Sequence, residues 1–150
     1  MEKLNKLLGI TARKSQVYYG NELADLDIST GQYMFIVSIC ENAGLSQEEL
    51  GEKIGINKST VAKVIAQLKQ DGYVVREVDE LDKRGYKLYP TEKAKDVYPK
   101  IVEILDQWKE YLVMGLTDEE ITTLLTLMTK VESNARKYSK INRRNKDEFK

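Results

Sequence analysis

The sequence predicts a mainly α-helical fold that contains one small β-hairpin. Apolar residues recur at helical spacing in six segments, and capping residues precede several of these segments. The apolar period changes to that of β-strands only once, near the middle of the chain. At 150 residues, the chain has the length of a single domain.

The first half of the chain contains four predicted helices. The first covers about 3–23, and the second, apolar on most sides, covers about 30–42. The third covers about 47–54 and stops at Gly55, a residue type that tolerates a left-handed C-cap. The fourth opens at Asn57 as N-cap and stops near Asp71-Gly72. Its apolar residues follow the i, i+3, i+4, i+7 pattern of an anchored helix: Val61, Val64, Ile65 and Leu68.

Three helix starts carry the pattern of a capping box, in which a hydroxyl and a carboxylate or amide satisfy each other's backbone donors. The pairs are Ser29 with Gln32, Ser46 with Glu49, and Thr117 with Glu120.

A hairpin and two further helices complete the prediction. Residues 73–78 are mostly β-branched and apolar, residues 86–89 alternate, and a polar turn separates them. Pro90 ends the second strand because it cannot donate to a ladder. A fifth helix follows over about 91–112, with Pro99 expected to kink it, and a sixth covers about 118–138.

Composition argues against several function classes. The chain has no histidine, which removes the commonest general base and metal ligand, and no spacing suggests an active site. We therefore expect no enzyme activity, metal or cofactor. The single cysteine, Cys40, lies in the apolar second helix and is interpreted as a core thiol. No apolar run reaches the roughly 18 residues of a membrane span, so we expect no membrane contact. A single cysteine cannot form an intrachain disulfide, which fits a reducing cytoplasm.

The third helix, the Gly55 turn and the fourth helix have the order of a helix-turn-helix, which places its second helix in a DNA major groove. The polar face of that second helix carries the groups that reach phosphates and base edges. The candidate DNA-binding residues there are Lys58, Ser59, Thr60, Lys63 and Gln67.

The hairpin beside this helix is interpreted as a wing. Lys83 and Arg84 at its tip are candidate DNA contacts, with Arg84 suited to a narrow minor groove and Asp82 placed to support it. Residues 53–90 hold eight basic and five acidic side chains, a net charge of +3 that favours phosphate. The alternative for each of these features is an ordinary solvated face or turn.

Over about 27–135 the sequence resembles the MarR family of bacterial winged helix-turn-helix regulators. The motifs are Ile28-Ser29-x-x-Gln32-Tyr33, residues 45–50 and 56–61, Leu68-x-x-Asp71-Gly72, Asp82-x-Arg84 followed by Thr91, and Leu116-Thr117-x-x-Glu120. The resemblance implies a homodimer built by the first, fifth and sixth helices, recognition by the fourth, and a wing arginine in the minor groove. Many members are repressors released by small aromatic acids, phenols or oxidants. Pro90 and Ala94 depart from the usual leucine and glycine, so the start of helix five is expected to shift.

These inferences define one chain-long regulator, 1–150. Residues 28–91 form the DNA-binding winged-helix part, and 1–27 and 92–140 form dimerisation helices. The expected partners are double-stranded operator DNA, a second copy of the chain and a small aromatic effector. An aromatic set is the candidate effector pocket, with plain core or dimer interface as the alternative: Tyr18, Tyr19, Tyr33, Trp108 and Tyr111. The competing function is a winged-helix adaptor that docks proteins without binding DNA.

Overall fold

The architecture is mainly helical with a small antiparallel sheet, which confirms the predicted fold class. The computed structural model describes residues 2–81 and 85–139. Backbone contacts divide the chain into two compact units, Met1–Glu110 and Tyr111–Lys150. Within the described ranges, no helix is long and apolar enough to cross a membrane.

The helices agree closely with the predicted segments. They are α1 (Glu2–Ala24), α2 (Tyr33–Glu41), α3 (Gln47–Ile54), α4 (Lys58–Gln70), α5 (Glu92–Leu112) and α6 (Asp118–Tyr138). The strands are β1 (Leu45–Ser46), β2 (Val74–Val78) and β3 (Tyr86–Pro90), in the order β1-β3-β2. Because β3 is central, it holds both the hairpin partner β2 and the short strand that leads into α3.

The core of the first unit draws on almost every element around the helix-turn-helix. Val61, Ile65 and Leu68 are buried and Val64 is half-buried, so the stripe that was predicted to anchor α4 does so. Removal of this apolar surface from water is the main stabilising contribution to such a core. The buried partners include residues of α1, α2, α3, β3 and α5: Leu23, Phe35, Ile36, Ile39, Leu50, Leu88 and Ile101.

The predicted capping box at Thr117 forms in full, and one of the two predicted bonds forms at Ser46. The Thr117 hydroxyl accepts from the Glu120 backbone N–H at 3.2 Å, and the Glu120 carboxylate accepts from the Thr117 N–H at 2.8 Å. The Ser46 hydroxyl accepts from the Glu49 N–H at 3.1 Å. These bonds satisfy donors that the first turn of a helix leaves without partners.

The start of α2 differs from the prediction. The helix begins at Tyr33 rather than near residue 30, and only half of the box at Ser29 forms. Residues 29–32 close a turn, in which the Gln32 N–H donates to the Ser29 carbonyl at 3.0 Å. The Gln32 Oε1 accepts from the Ser29 N–H at 3.1 Å, while its Nε2 donates to Asp71. The tertiary contact with Asp71 accounts for a turn that local capping rules do not anticipate.

The sequence prediction also missed β1. Leu45 and Ser46 pair with Leu88 and Lys87 of β3. Two residues are too few for an alternating pattern, so only the distant partner makes this segment a strand. The α5 helix begins at Glu92, after Thr91, whose hydroxyl accepts from the Ala94 N–H at 3.3 Å.

The pH dependence of the free energy of unfolding above pH 10 tests the burial of Tyr33. Burial raises its pKa to about 12, and the neighbouring Tyr19 phenol contributes. In the unfolded chain the pKa returns to about 10, so unfolding releases a proton from Tyr33 between pH 10 and 12. The free energy of unfolding should therefore fall through this window, by at most about 1.4 kcal/mol per pH unit from this residue. Below pH 10 its contribution is constant.

The measurement is denaturant unfolding of wild type and Tyr33→Phe from pH 9 to 12. The other tyrosines and the lysines titrate in both proteins, so the difference between the two profiles isolates Tyr33. We expect the wild type to lose stability more steeply than the variant above pH 10. Parallel profiles would contradict the burial described here.

Candidate nucleic-acid interface

The helix-turn-helix depends on a close approach between α3 and the start of α4. Gly55 ends α3 in the left-handed conformation, with φ of 71°, as the sequence predicts. The Ile56 N–H then donates to the Gly51 carbonyl at 2.9 Å. A Cβ atom on Gly51 would lie 3.1 Å from both the Ile56 carbonyl oxygen and Val61 Cγ2. Gly51 therefore lets the backbone of α3 touch the first turn of α4.

Asn57 caps α4, as predicted, and also engages a candidate DNA-binding side chain. Its Oδ1 accepts from the Thr60 N–H at 2.9 Å and from the Ser59 hydroxyl at 2.9 Å. The cap satisfies one backbone donor and leaves the positive end of the helix dipole facing outwards. Because the Ser59 hydroxyl hydrogen is used by Asn57, Ser59 presents its oxygen as an acceptor to a ligand.

The candidate residues of α4 are all exposed. Ser59, Thr60, Lys63 and Gln67 lie opposite the buried stripe of Val61, Ile65 and Leu68, whereas Lys58 is in the first turn, on the side of Ile65. This arrangement of one anchored and one free face is what entry into a major groove requires. The exposed set contains both cations and uncharged polar groups: Lys58, Ser59, Thr60, Lys63 and Gln67.

A carboxylate at the end of α4 joins this face to the turn before α2. Asp71 Oδ1 accepts from Gln67 Nε2 at 3.0 Å, and Asp71 Oδ2 accepts from Gln32 Nε2 at 3.0 Å. From the sequence, Gln32 was predicted only as part of the Ser29 capping box and Asp71 only as the end of α4, so their contact was not anticipated. The i, i+4 spacing of Gln67 and Asp71 was a usable signal, but Gln32 is 39 positions from Asp71 and has no local signature.

The same corner of the chain is tied to the start of α5. The Thr91 hydroxyl donates to the Gly72 carbonyl at 2.6 Å, and Lys93 Nζ donates to the Asp71 carbonyl at 2.7 Å. Lys93 Nζ also lies 4.4 Å from the ring centroid of Tyr73. These contacts bind the end of α4 and the residue before β2 to the start of α5 through one neutral hydrogen bond, one charge-assisted hydrogen bond and a cation–π interaction.

The wing is described only up to its tip. The strands pair from Val74 to Val78, and the Asp79 N–H donates to the Gly85 carbonyl at 3.1 Å. The Arg76 guanidinium lies 5.0 Å above the ring of Tyr86, on an exposed part of the hairpin. Sequence reasoning missed this contact because it depends on the strand register. The predicted tip contacts and their support lie outside the described residues: Asp82, Lys83 and Arg84.

Four of the five aromatic residues that were predicted to line an effector pocket lie together. Tyr18 stacks on Trp108 at 4.6 Å, and Tyr19 lies 5.0 Å from Tyr33. Trp108 Nε1 donates to the Ser15 hydroxyl at 2.8 Å. Burial, with a smaller contribution from Tyr18, raises the pKa of Tyr19. Tyr111 belongs to the second compact unit, Tyr111–Lys150.

Cys40 is half-buried against the core of α2. Burial raises the pKa of its thiol, and the neighbouring Glu41 carboxylate raises it further, while Lys95 acts in the opposite direction. A raised pKa lowers the thiolate fraction and with it the reactivity of the sulfur.

Three comparisons relate the chain to known proteins. A family model described as "MarR family" matches residues 26–85. The HTH-type transcriptional regulator YybA of Bacillus subtilis (strain 168) is 34% identical over 150 residues, which cover 99% of this chain and 100% of that protein.

Two solved structures share the fold over most of the chain. The transcriptional regulator SlyA is 30% identical, with a TM-score of 0.85 over 89% of this chain and 94% of that chain. A MarR family transcriptional regulator from Listeria monocytogenes, complexed with 26mer DNA, is 29% identical, with a TM-score of 0.85 over 88% of each chain.

The geometry of the turn predicts a specific effect of Gly51→Ala. The added methyl group meets a backbone carbonyl and a buried valine at 3.1 Å, so α4 must shift by a few tenths of an ångström. We expect a loss of about 1–3 kcal/mol in the free energy of unfolding, as for other overpacked sites. Gly31→Ala is the matched control, since its Cβ would have Ser29 Oγ as its nearest neighbour at 3.8 Å. Equal stability of the two variants by denaturant unfolding would contradict the close approach.

Proposed function

The chain belongs to the MarR family of transcription regulators, and on that premise we propose that it acts as a homodimeric repressor of a palindromic operator. As a member of this family it is a DNA-binding transcription regulator and not an enzyme. The dimer, the repressor role, the contact residues and the effector described below are parts of the proposal, as is a cytoplasmic location.

One observation carries the proposal: α4 is anchored by its apolar stripe and exposes a polar, cationic face beside the wing strands. Hydroxyl, amide and lysine groups are suited to phosphates and base edges. We assign Lys58, Ser59, Thr60, Lys63 and Gln67 to the major groove, and Lys83 and Arg84, supported by Asp82, to the minor groove.

Exposed apolar surface supports the homodimer. In α6 none of the described residues is buried, although Ile121, Leu124, Leu125 and Met128 recur at helical spacing. The α1 helix exposes Leu4, Leu7 and Val17 as well. An amphipathic helix has to bury its apolar stripe, and a second copy of the chain can cover these surfaces. A two-fold dimer would place its recognition helices roughly 34–36 Å apart, one turn of DNA.

The effector proposed is a small aromatic acid or phenol. The cluster of Tyr18, Tyr19, Tyr33 and Trp108 supports it, since these residues combine flat apolar rings with polar groups. Adding salicylate to the operator-binding assay tests this part of the proposal, with release from the operator as the expected result.

Two groups of alanine variants separate base reading from electrostatic contact. On a verified operator, Ser59→Ala, Thr60→Ala and Lys63→Ala should each cost roughly 1–3 kcal/mol of binding free energy on the specific site only. Arg84→Ala should weaken binding to operator and non-specific DNA alike, and lower the log–log salt slope by about one unit. The measurement is affinity against salt concentration on both kinds of DNA.

Lys100→Ala is the matched control, because it removes the same kind of charge from an exposed position of α5. It should leave the ratio of specific to non-specific affinity unchanged. If all four interface variants kept wild-type affinity for the operator, this surface would not be the DNA-binding face. The alternative of an adaptor that docks another protein would then be favoured.

The proposed dimer predicts that Leu125→Asp abolishes association. Leu125 is 63% exposed, so a charge is tolerated in the isolated subunit but not in an apolar interface. Sedimentation at micromolar concentration should show a dimer for wild type and a monomer for the variant, with weaker operator binding. Thr123→Asp is the control, because it places the same charge about 200° away round the helix. A wild-type monomer would refute this part of the proposal.

A further inference from the structure

The carboxylate of Asp71 lies at the end of a short chain of hydrogen bonds that begins at a backbone N–H. The Ser29 N–H donates to Gln32 Oε1 at 3.1 Å, and Gln32 Nε2 donates to Asp71 Oδ2 at 3.0 Å. The other carboxylate oxygen, Oδ1, accepts from Gln67 Nε2 at 3.0 Å. Gln32 and Asp71 are half-buried, whereas Gln67 is exposed on the face of α4 that carries Lys63.

The donor and acceptor groups at its two ends determine the direction of every hydrogen bond in this series. A backbone N–H can only donate, so Gln32 must turn its oxygen towards Ser29 and its nitrogen towards Asp71. A carboxylate can only accept, so Gln67 must also turn its nitrogen towards Asp71. The amide orientations, which are often ambiguous by shape alone, are therefore assigned by the partners. Asp71 binds the amide nitrogen of Gln67 and does not bind its amide oxygen.

We propose that Asp71 is a positioning residue that makes Gln67 present its carbonyl oxygen to the DNA. Adenine N6 and cytosine N4 are donors in the major groove, whereas the O6 and N7 atoms of guanine and the O4 atom of thymine are acceptors. Gln67 held in this way favours an amino base, adenine or cytosine, at one position of each half-site. This inference rests on the proposed function, in which α4 reads the operator.

The chain of bonds predicts what a nearly isosteric change does. Asp71→Asn replaces one acceptor oxygen with an NH2 donor. Gln32 keeps its direction because Ser29 still donates to it, so the new amide oxygen has to face Gln32 and the new NH2 group has to face Gln67. Gln67 must then turn its oxygen inwards and its nitrogen outwards. The side chain becomes a donor towards the DNA and should favour guanine or thymine at the same position.

The experiment is selection of full-length protein on a randomised DNA duplex library, followed by sequencing. Wild type should select a palindromic motif with adenine or cytosine favoured at one position of each half-site. The expected preference is about 5- to 150-fold, the range of a single base-edge contact. Asp71→Asn should lose or invert the preference at that position and leave the other positions unchanged.

Two further variants separate positioning from a general structural role. In a Gln67→Ala background, adding Asp71→Asn should change no base preference, because no side chain remains to be turned. Combining Asp71→Asn with Gln67→Glu should restore the amino-base preference, because a carboxylate presents an acceptor in either direction. Melting temperatures report whether each variant is folded, and the rescue by Gln67→Glu is itself evidence of a folded, binding-competent protein.

A carboxylate near DNA also repels phosphate, so removing it can raise affinity for every sequence. Glu48→Gln, which removes the same charge from an exposed position of α3, is the control for this effect. Like Asp71→Asn, it can change overall affinity, but it should not change any base preference.

The outcomes are distinguishable. A wild-type protein that selects no motif would overturn the proposed function, and this inference with it. A wild-type motif that Asp71→Asn leaves unchanged at every position would overturn the inference alone. So would a change in base preference that persists in the Gln67→Ala background, or a failure of Gln67→Glu to restore the preference.

Discussion

The contact between α3 and α4 at Gly51 is the constraint on which the candidate DNA-binding surface depends. With only a hydrogen at this position, the Ile56 carbonyl and Val61 approach the α3 backbone closely. Val61, Ile65 and Leu68 can then enter the core together, and a rigid helix that buries one face necessarily exposes the other. The orientation of α4, and with it every candidate contact on α4, follows from this approach.

The end of α4 is also fixed by tertiary contacts, but there the contacts are made by polar groups. Asp71 accepts two side-chain amides and, at its carbonyl, the ammonium of Lys93. Thr91 holds the next carbonyl, that of Gly72. Bonds to charged groups are stronger than neutral ones and are directional, so they fix angles that apolar packing leaves loose. Because Thr91 and Lys93 lie at the entry to α5, these bonds connect the end of α4 directly to the start of α5.

Polar neighbours also decide what the exposed face can offer. Ser59 donates its hydroxyl hydrogen to Asn57, and Gln67 turns its nitrogen to Asp71. Two side chains that could act either as donors or as acceptors are thus biased towards accepting. A list of residue types on a recognition helix therefore does not define its hydrogen-bonding pattern. The lysines Lys58 and Lys63 remain donors whatever surrounds them.

Local chemistry in the sequence determined most of the fold and much of the candidate site. Some features involve only residues within a few positions of one another, so they can be predicted from the sequence without knowing the fold. These are the helix periodicity, the Asn57 cap, the left-handed Gly55 and the apolar stripe of α4. Only the tertiary structure decided the late start of α2, the pairing of β1 with β3, and the bridge from Gln32 to Asp71. These features join residues about 40 positions apart along the chain, and no local pattern encodes which distant partner will satisfy a given polar group.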